Sequence, residues 1–505
     1  MKVLDIAQIR EADRYTMLHE PIASIDLMER AAGQLFKWFR ENTDPGASYV
    51  IICGPGNNGG DGLALARMLA DAGREVSVVL IWFAVQGSPD LLINLEHLRE
   101  QGKVPITEVR NVADLPAIKR DNLILVDGLV GSGLSRPVEG LAAEAIKAMN
   151  AATAPVIAID VPSGLFCDVP TDAGKGAVVR AVHTLSFQSP KLSFFFSENE
   201  PFVGEWTVLP IGLHPDYLTE AKGHYHFITS TECRRFLKSR SRFGHKGSYG
   251  HALLISGNPG KFGAAVLAAR ACLRSGPGLV SLSLPAEGIP VLQTSVPEAM
   301  VILRPDEHQF LLPRQLEPFR SIAAGPGLGT SEALASALKQ LIQNTPVPLI
   351  LDADALNILS ENKTWIAFLP KDSILTPHPG EFERLAGKSA NSFERLAKQR
   401  DLSIRYGLYI ILKGAHTCIS TPEGMCWFNG TGNPGMATGG SGDALTGILA
   451  GLMAQGYPAL EACLLGVWLH GYAGDLALEE GSWESLLPSD LIDKLGKAFS
   501  RLRKG

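Results

Sequence analysis

The sequence predicts an α/β protein built from two parallel-sheet domains, and three observations support this fold class. Its 505 residues exceed the length over which one hydrophobic core keeps growing. Short runs of Val, Ile and Leu alternate with amphipathic stretches, which is the rhythm of βαβ units. Because these runs are continuously apolar, they are typical of parallel strands that helices cover on both faces.

The front half begins with helical periodicity over Ile9–Phe39 and continues as alternating strands and helices. The most apolar stretch, Val78–Val85, is much shorter than the roughly 20 residues of a membrane helix, so we interpret it as a buried strand. This order predicts a Rossmann-like domain. Its strands are predicted at Tyr49–Cys53, Glu75–Leu80, Leu123–Val126 and Val156–Ile159.

A polar stretch, Gly212–Lys222, separates the two halves, so we predict domains at residues 1–222 and 223–505. From about Phe227 the alternation of strands and helices restarts, which predicts a second α/β domain. Its strands are predicted at His251–Ile255, Leu279–Leu284, Ile322–Ala324, Leu349–Leu351 and Tyr409–Leu412.

Composition limits the classes of function and partner. A net charge of -6 without long Lys or Arg runs argues against nucleic acid or an anionic membrane as the main partner. The segment Met1–Arg14 lacks the apolar core of a secretory signal. The seven cysteines show no Cys-x-x-Cys spacing, so we expect reduced thiols that mostly pack in the core. A cytoplasmic protein is therefore expected.

The first candidate site follows the first predicted strand, where Gly54–Gly62 has the glycine spacing of a dinucleotide-binding turn. Backbone amides at the start of the next helix, predicted over Leu63–Ala72, can then approach a pyrophosphate. The next strand ends in Leu80–Phe83 without the acidic residue of a redox enzyme, so ordinary nicotinamide oxidation is not favoured. A purely structural turn is the alternative. Ligand contact is favoured by the polar side chains of Asn57, Asn58 and Asp61.

Two more predicted strands of this half end in a carboxylate and a glycine turn, at Asp127–Gly133 and Asp160–Leu165. Each Asp alone could be a helix cap or turn former, but the carboxyl ends of parallel strands meet in one crevice. We therefore expect one shared site. The oxygen-rich set of Asn58, Asp127 and Ser163 would suit a hard cation.

The runs Gly56–Gly62, Asp127–Gly133 and Asp160–Leu165 together resemble the signature of the NAD(P)HX epimerase family, which acts on hydrated NADH and NADPH. The resemblance implies a potassium ion on Asn58, Asp127 and Ser163. Asp160 is our choice for proton transfer, because epimerisation needs a positioned acid or base. Phe194–Phe196 departs from the family pattern, and we interpret it as repacking. Substrate contacts are implied for Asn58, Gly59, Gly60, Asp61, Gly131, Ser132, Gly133, Leu134, Ser135, Arg136, Pro137 and Asp160.

The second candidate site is the run Thr438–Asp443, which opens a helix predicted to reach about Gln455. Consecutive glycines before a helix expose amide donors to an anion, so a phosphate is expected there. Asp443 could accept the proton of a hydroxyl that attacks a phosphoryl group, or it could only complement the helix dipole. Lys413 could reach a phosphate or be a solvated strand-end charge, and His378, between two prolines, is a rigid turn or a substrate contact rather than a metal ligand.

Over about Phe243–Gly474 the chain resembles the ADP- or ATP-dependent NAD(P)HX dehydratase of the ribokinase-like group. Besides Thr438–Asp443, the segments that carry this resemblance are Gly257–Ala265, Gly325–Gly329, Asp352–Asp354, Thr376–Glu381 and Lys413–Thr417. The chemistry of phosphoryl transfer makes Asp443 the expected catalytic residue and predicts a magnesium ion that bridges the nucleotide phosphates, with Glu381 and Asp354 as candidate ligands. Nucleotide contacts are implied for Lys413, Gly414, Ala415, His416, Thr417 and Gly442. Contacts to the hydrated cofactor are implied for Ala264, Gly327, His378 and Asp443.

Three functional hypotheses follow. The first is a fused repair enzyme whose N-terminal domain interconverts R and S NAD(P)HX and whose C-terminal domain dehydrates S-NAD(P)HX. The second is a ribokinase-type small-molecule kinase with a regulatory front domain, and the third makes the front domain a cofactor sensor. Bacterial members of the family suggest ADP, although no motif distinguishes it from ATP, or NADHX from NADPHX. The apolar stretch Ile25–Phe36 also suggests a homo-oligomer.

Overall fold

A computed structural model places the chain in two compact units, Lys2–Gly223 and His224–Gly505, with Met1 grouped with the second. The structure describes residues 1–117, 122–304, 308–311 and 313–504. Both units are layered α/β folds, so the predicted fold class is confirmed.

The first unit contains a seven-stranded sheet in the order β3-β2-β1-β4-β5-β6-β7, and every pairing between neighbours is parallel. Its central strands are buried along their whole length, as continuous apolar runs require. The order reverses between β1 and β4, which makes the crevice above them the expected ligand position. The strands are β1 Ser48–Cys53, β2 Glu75–Ile81, β3 Ile106–Val109, β4 Leu123–Gly128, β5 Val156–Ile159, β6 His183–Phe187 and β7 Glu205–Leu209.

Helices of the first unit differ in burial: α3 is buried over most of its length, whereas α7 has no buried residue. On α2 the buried stripe is Leu27, Met28, Ala31, Ala32 and Leu35. The helices are α1 Ile6–His19, α2 Ser24–Asn42, α3 Asn57–Asp71, α4 Pro89–Gln101, α5 Gly140–Ala151, α6 Glu200–Val203 and α7 Pro215–Glu220.

The second unit contains a ten-stranded sheet in the order β11-β10-β9-β12-β13-β14-β15-β16-β17-β8. Only the pairs β15–β16 and β16–β17 are antiparallel among its described pairings. Here the order reverses between β9 and β12. The strands are β8 Tyr225–Phe227, β9 His251–Ile255, β10 Leu279–Leu284, β11 Met300–Leu303, β12 Ser321–Ala324, β13 Leu349–Leu351, β14 Ile374–Leu375, β15 Tyr409–Leu412, β16 Cys418–Ser420 and β17 Cys426–Phe428.

The helices of the second unit surround two apolar cores, one on each face of the sheet. Near-continuous burial of α15 and α16 shows that these helices lie inside the first of these cores. The helices are α8 Ser230–Phe236, α9 Phe262–Ser275, α10 Ile289–Ser295, α11 Glu332–Asn344, α12 Ala353–Glu361, α13 Pro379–Ala386, α14 Ser392–Tyr406, α15 Ser441–Ala454, α16 Ala459–Leu478 and α17 Pro488–Lys504.

The structure corrects three local predictions. The predicted buried strand Val78–Val85 ends at Ile81, and Val85 is fully exposed in the following loop. The helical segment Ile9–Phe39 is two helices, separated around Pro21. The helix predicted from Leu63 begins at Asn57, so the second half of the glycine motif is already helical.

The apolar stretch Ile25–Phe36 does not support the homo-oligomer that it suggested. Its buried stripe packs within the first unit, because α2 is an amphipathic helix covering its own sheet. Two predictions about packing are confirmed. Phe194, Phe195 and Phe196 are all buried, and all seven cysteines are free and buried. No helix in the described part of the chain has both the length and the apolar character of a membrane span.

Candidate functional site

The first site lies where β1, β4 and β5 end side by side. The turn after β1 touches the turn after β4 so closely that a side chain on Gly54 would collide with the Leu129 carbonyl. A side chain on Gly59 would collide with the Gly54 carbonyl. These glycines therefore permit the close packing of two loops, as the convergence of the strand ends predicted.

Asp127 is the buried centre of this site. Its carboxylate accepts hydrogen bonds from the Ser163 hydroxyl at 2.6 Å, the Ser163 amide at 2.8 Å and the Leu129 amide at 3.1 Å. Burial raises the pKa of Asp127 to about 6, and these hydrogen bonds oppose the rise. Among the described residues no positive charge contributes to lowering this pKa, so a bound cation would complete the charge balance.

Asn58 adds to the same site from the first turn of α3. Its Nδ2 is buried and has no hydrogen-bond partner in the described structure, and a Cβ on Gly131 would lie 3.0 Å from its Cγ. The side chains of Asn58, Asp127 and Ser163 include one carboxylate and two neutral oxygens, a donor set that fits a hard cation. The described residues include no group of three His, Cys, Asp or Glu side chains placed to hold a metal.

Asp160 forms an ion pair that the sequence did not reveal. Its Oδ1 lies 2.9 Å from Lys191 Nζ, and the Lys191 side chain is 1% exposed. The Phe187 amide donates to the same oxygen at 3.2 Å. Asp160 has a φ of 62°, a strained conformation for a residue with a side chain, which often marks a functional position.

Helix α1 brings two further residues that sequence reasoning missed. Burial raises the pKa of Asp13 to about 6, with a further rise from Asp160 and an opposing effect of Lys191. Burial, Asp160 and Asp13 in turn raise the pKa of Asp61. A Cβ on Gly133 would lie 3.1 Å from the Arg10 guanidinium. The i, i+3 spacing of Arg10 and Asp13 predicts that they share one helix face. The sequence does not show which residues that face contacts in the fold.

The remaining residues of the predicted substrate set fall into two environments. Gly59 and Gly60 are buried in the first turn of α3. The loop after β4 is half-buried to exposed and can be reached by a ligand. It contains Gly131, Ser132, Gly133, Leu134, Ser135, Arg136 and Pro137.

The second site is built around the N-terminus of α15. Gly439 has open space around it, and Gly440 has a φ of 98°, which explains the glycine at that position. Asp443 lies in the first turn of the helix, and burial together with the charge of Asp352 raises its pKa to about 6. Lys413 opposes this rise. The turn is open to an anion. The Asp443 carboxyl group is suited to accept a proton near neutral pH.

Lys413 faces this turn from the end of β15. Its Nζ lies 2.8 Å from Asp352 Oδ1 and 3.9 Å from Glu381 Oε2, and a Cβ on Gly442 would lie 3.3 Å from it. Asp352 is almost fully buried and also accepts a hydrogen bond from Thr446 at 2.8 Å. The sequence placed Asp352 in the segment Asp352–Asp354 but predicted no role for it. The structure makes it the partner that orients Lys413.

The predicted cofactor contacts Ala264 and Gly327 lie against each other, since a Cβ on Gly327 would be 3.1 Å from the Ala264 Cβ. Nearby, Lys261 pairs with Asp354 at 3.2 Å. His378 is half exposed and caps the start of α13, where its Nδ1 accepts a hydrogen bond from the Gly380 amide at 3.0 Å.

The predicted nucleotide loop lies between β15 and β16. The Thr417 hydroxyl donates to the Gly414 carbonyl at 3.1 Å, which closes the loop on itself. His416 Nδ1 lies 3.2 Å from the Asn429 carbonyl, and Ala415 is exposed between them. Of this loop, Lys413 is the residue whose side chain reaches Gly442 in the first turn of α15.

Comparisons with known proteins agree with this division into two sites. Residues 252–497 match the family model described as NAD(P)H-hydrate dehydratase, and residues 24–193 match that of the YjeF-related protein N-terminus. The bifunctional NAD(P)H-hydrate repair enzyme of Moorella thermoacetica is 34% identical over 100% of this chain and 98% of its own length.

The enzyme of the same description from Coxiella burnetii is 36% identical over 97% of each chain. Among solved structures, a ribokinase-like superfamily protein from Enterococcus faecalis is 28% identical with a TM-score of 0.51. That match covers 56% of this chain and 99% of the solved one. The predicted ribokinase-like fold of the second unit is thereby confirmed.

Proposed function

The chain belongs to the family of bifunctional NAD(P)H-hydrate repair enzymes, and on this premise we propose how its two units divide the reaction. The first unit interconverts the R and S epimers of hydrated NADH and NADPH. The second unit dehydrates the S epimer to NAD(P)H at the expense of a nucleotide phosphate. The enzyme is therefore both an isomerase and a lyase.

One observation carries this proposal: each unit has its own site, and each site contains a carboxylate with a lysine near it. Asp160 lies in the first site, paired with Lys191, and Asp443 lies in the second, opposite Lys413. A kinase with a regulatory front domain needs only the second of these carboxylates. The two separate reactions of the family need both.

In the second unit, Asp443 accepts the proton of the hydrate hydroxyl while the hydroxyl oxygen attacks the terminal phosphoryl group of the nucleotide. With ADP, the bond to the leaving oxygen breaks and AMP departs. The phosphate ester then loses inorganic phosphate as its C–O bond breaks, and the neighbouring ring carbon loses a proton to restore the double bond. Phosphorylation thus replaces a poor leaving group with a good one.

The nucleotide lies with its phosphates on the α15 turn. The amide of Gly442 and the Lys413 ammonium hold the phosphates, and the loop Lys413–Thr417 contacts the rest of the nucleotide. Magnesium, when bound, neutralises charge on the transferred phosphoryl group. Glu381 and Asp354 are both candidates for its carboxylate ligand: Asp354 pairs with Lys261 and accepts the Gly329 amide at 2.8 Å, and Glu381 accepts the His378 amide at 2.9 Å.

In the first unit, the hydroxyl on the carbon beside the ring nitrogen takes a proton from an acid of the site and leaves as water, while the nitrogen lone pair forms a C=N bond to that carbon. Water then adds to the other face of the ring. The Asp160 carboxylate takes the proton of the returning water. Asp13, whose pKa is raised to about 6, is a second group here that can carry a proton. Asn58, Asp127 and Ser163 would hold potassium, which would supply a positive charge beside the buried Asp127. The half-exposed loop Gly131–Pro137 holds the cofactor.

The test uses full-length protein with a mixture of both NADHX epimers, magnesium and ADP or ATP, and follows the return of NADH absorbance. Wild type is expected to convert the whole mixture. Asp443→Ala should convert none. Asp160→Ala should convert the S epimer quickly and the R epimer only at its uncatalysed rate.

Each alternative gives a different result. A small-molecule kinase would return no NADH with either nucleotide and would leave a stable phosphate ester. A front domain that only senses the cofactor would clear the R epimer equally fast in wild type and Asp160→Ala. A comparison of ADP with ATP under the same conditions decides the nucleotide, and we expect ADP.

A further inference from the structure

Helix α16 runs along the glycine-rich segment 431–443, which ends in the phosphate-binding turn. Asp475 on this helix accepts hydrogen bonds from the Gly432 amide and from Asn433 Nδ2, each at 3.0 Å. The Thr431 hydroxyl donates to the Trp468 carbonyl at 2.9 Å. The start of the segment is therefore fixed to α16.

Two glycines of α16 allow this close approach. A side chain on Gly471 would collide with Thr431, and one on Gly474 would collide with the Met436 sulfur. Glycine inside a helix costs roughly 0.5–1 kcal/mol relative to alanine. Their presence in a buried helix is explained by the segment that lies on it.

His470, on the same helix, reaches the other end of the segment. Its Nε2 lies 2.9 Å from the Ser441 carbonyl oxygen and 3.4 Å from the Ser441 hydroxyl. Burial lowers the pKa of His470 to about 4, so the ring is neutral at working pH. Because a carbonyl oxygen can only accept, Nε2 carries the ring proton and donates it to Ser441.

This hydrogen bond determines the direction of a nucleotide-binding amide. The Ser441 carbonyl and the Gly442 N–H belong to one planar trans peptide unit, in which they point in opposite directions. A donor that fixes the carbonyl therefore also fixes the N–H. Without the hydrogen bond from His470, only the hydrogen bonds within the helix would fix the orientation of the Ser441–Gly442 peptide.

We propose that His470 is a positioning residue that, by holding the Ser441 carbonyl, aims the Gly442 amide at the nucleotide phosphates. Asp475 anchors the opposite end of the segment. This inference rests on the proposed function of the α15 turn. It assigns no proton transfer to His470.

The test measures the dehydratase kinetics of His470→Gln and His470→Leu in the full chain. The Gln side chain keeps an N–H near the position of Nε2, whereas Leu keeps apolar volume and removes the donor. We expect Leu to raise the KM for the nucleotide roughly tenfold, with little change in the KM for NADHX. Gln should restore most of this loss. Epimerase activity of the same variants is the internal control and should not change.

His251→Leu is the matched control. His251 is a partly buried histidine of the same unit, its pKa is lowered by burial, and its Nε2 lies 2.8 Å from the Ser281 hydroxyl. It begins β9, at the end of the strand away from the loop that follows it. The nucleotide KM of His251→Leu should equal that of wild type.

Equal losses in the Gln and Leu variants, or an unchanged nucleotide KM in both, would overturn the inference. If the Leu variant fails to fold, His470→Asn replaces it, because its shorter amide cannot reach Ser441 and should lose nucleotide affinity where Gln retains it. Failure of the proposed function is separate: it appears as normal dehydration by Asp443→Ala, whatever His470 does.

Discussion

Asp443 and Asp160 are placed in different electrostatic environments. Burial disfavours the charged form of Asp443, and the neighbouring carboxylate of Asp352 adds to this effect. Asp160 lies against a buried ammonium, Lys191. The first arrangement gives a base that titrates close to neutral pH, and the second holds a carboxylate in one orientation by an ion pair.

The pH dependence of dehydration should report Asp443. A base must be ionised to accept a proton, so kcat/KM should fall as the pH drops through about 6, the raised pKa of Asp443. In Asp352→Asn the loss of a negative neighbour should move this acid limb to lower pH. An acid limb that stays in place or moves to higher pH in the variant would contradict the assignment.

Lys191→Met should damage the first unit in both activity and stability. The substitution leaves Asp160 buried without its partner, which typically costs roughly 3–5 kcal/mol of unfolding free energy. Epimerase activity should fall, while dehydration of pure S epimer persists at a temperature where the second unit is folded.

Lys147→Met is the control for Lys191→Met, because Lys147 pairs with Glu144 at 2.7 Å on the surface. Chemical denaturation should show little change for it. Equal unfolding curves for the two variants would refute the role of the buried pair.

Asp443 could be predicted from the sequence because it belongs to a contiguous motif at a helix start. Lys191 could not, because it follows β6 without a recognisable pattern and meets Asp160 only through the fold. The same holds for Asp13. Residues that act through contacts distant in sequence leave no local spacing to detect.

Helix α15 holds Asp443 in place through very close packing against α9. A side chain on Gly447 would collide with the Ala268 carbonyl. We therefore expect Gly447→Ala to lower the free energy of unfolding by roughly 1–3 kcal/mol. Urea denaturation measures this.

Gly496→Ala is the matched control for Gly447→Ala, since Gly496 lies inside α17 with open space where its Cβ would be. That change should stabilise the protein by roughly 0.5–1 kcal/mol. A stabilising Gly447→Ala would mean that α9 and α15 can move apart without cost.

The strands that the sequence predicted are those buried on both faces, such as β1 and β9, where continuous apolar runs leave little ambiguity. The strands it missed include β11, which is half exposed, and β14, which has only two residues. The antiparallel β16 and β17 are three residues each. Such short strands are stabilised by their neighbours rather than by their own pattern.

The two units should respond to different ions. Replacing potassium with a larger organic cation should abolish epimerisation and leave dehydration of pure S epimer intact. Chelation of magnesium should have the opposite effect. Both activities are followed in one preparation, by epimer separation and by NADH absorbance. Loss of both activities in either condition would contradict the independent assignment of the two ions.

A single chain with both activities suits the chemistry of its substrate. Hydration of the nicotinamide ring gives two epimers, and the dehydratase removes one of them. An epimerase in the same polypeptide is made in equal amount, so the whole damaged pool can be converted at a fixed ratio of the two activities.

The burial of all seven cysteines has a practical consequence. Burial raises the pKa of thiols such as Cys53, Cys272 and Cys463, which keeps them protonated and slow to react. Peroxide and alkylating reagents should therefore not react with the cysteines of the native enzyme. They should modify these thiols only when the protein unfolds. The rate of maleimide labelling would then measure the rate of unfolding. Each half of the polypeptide has its own cysteines, so the two halves can be followed separately.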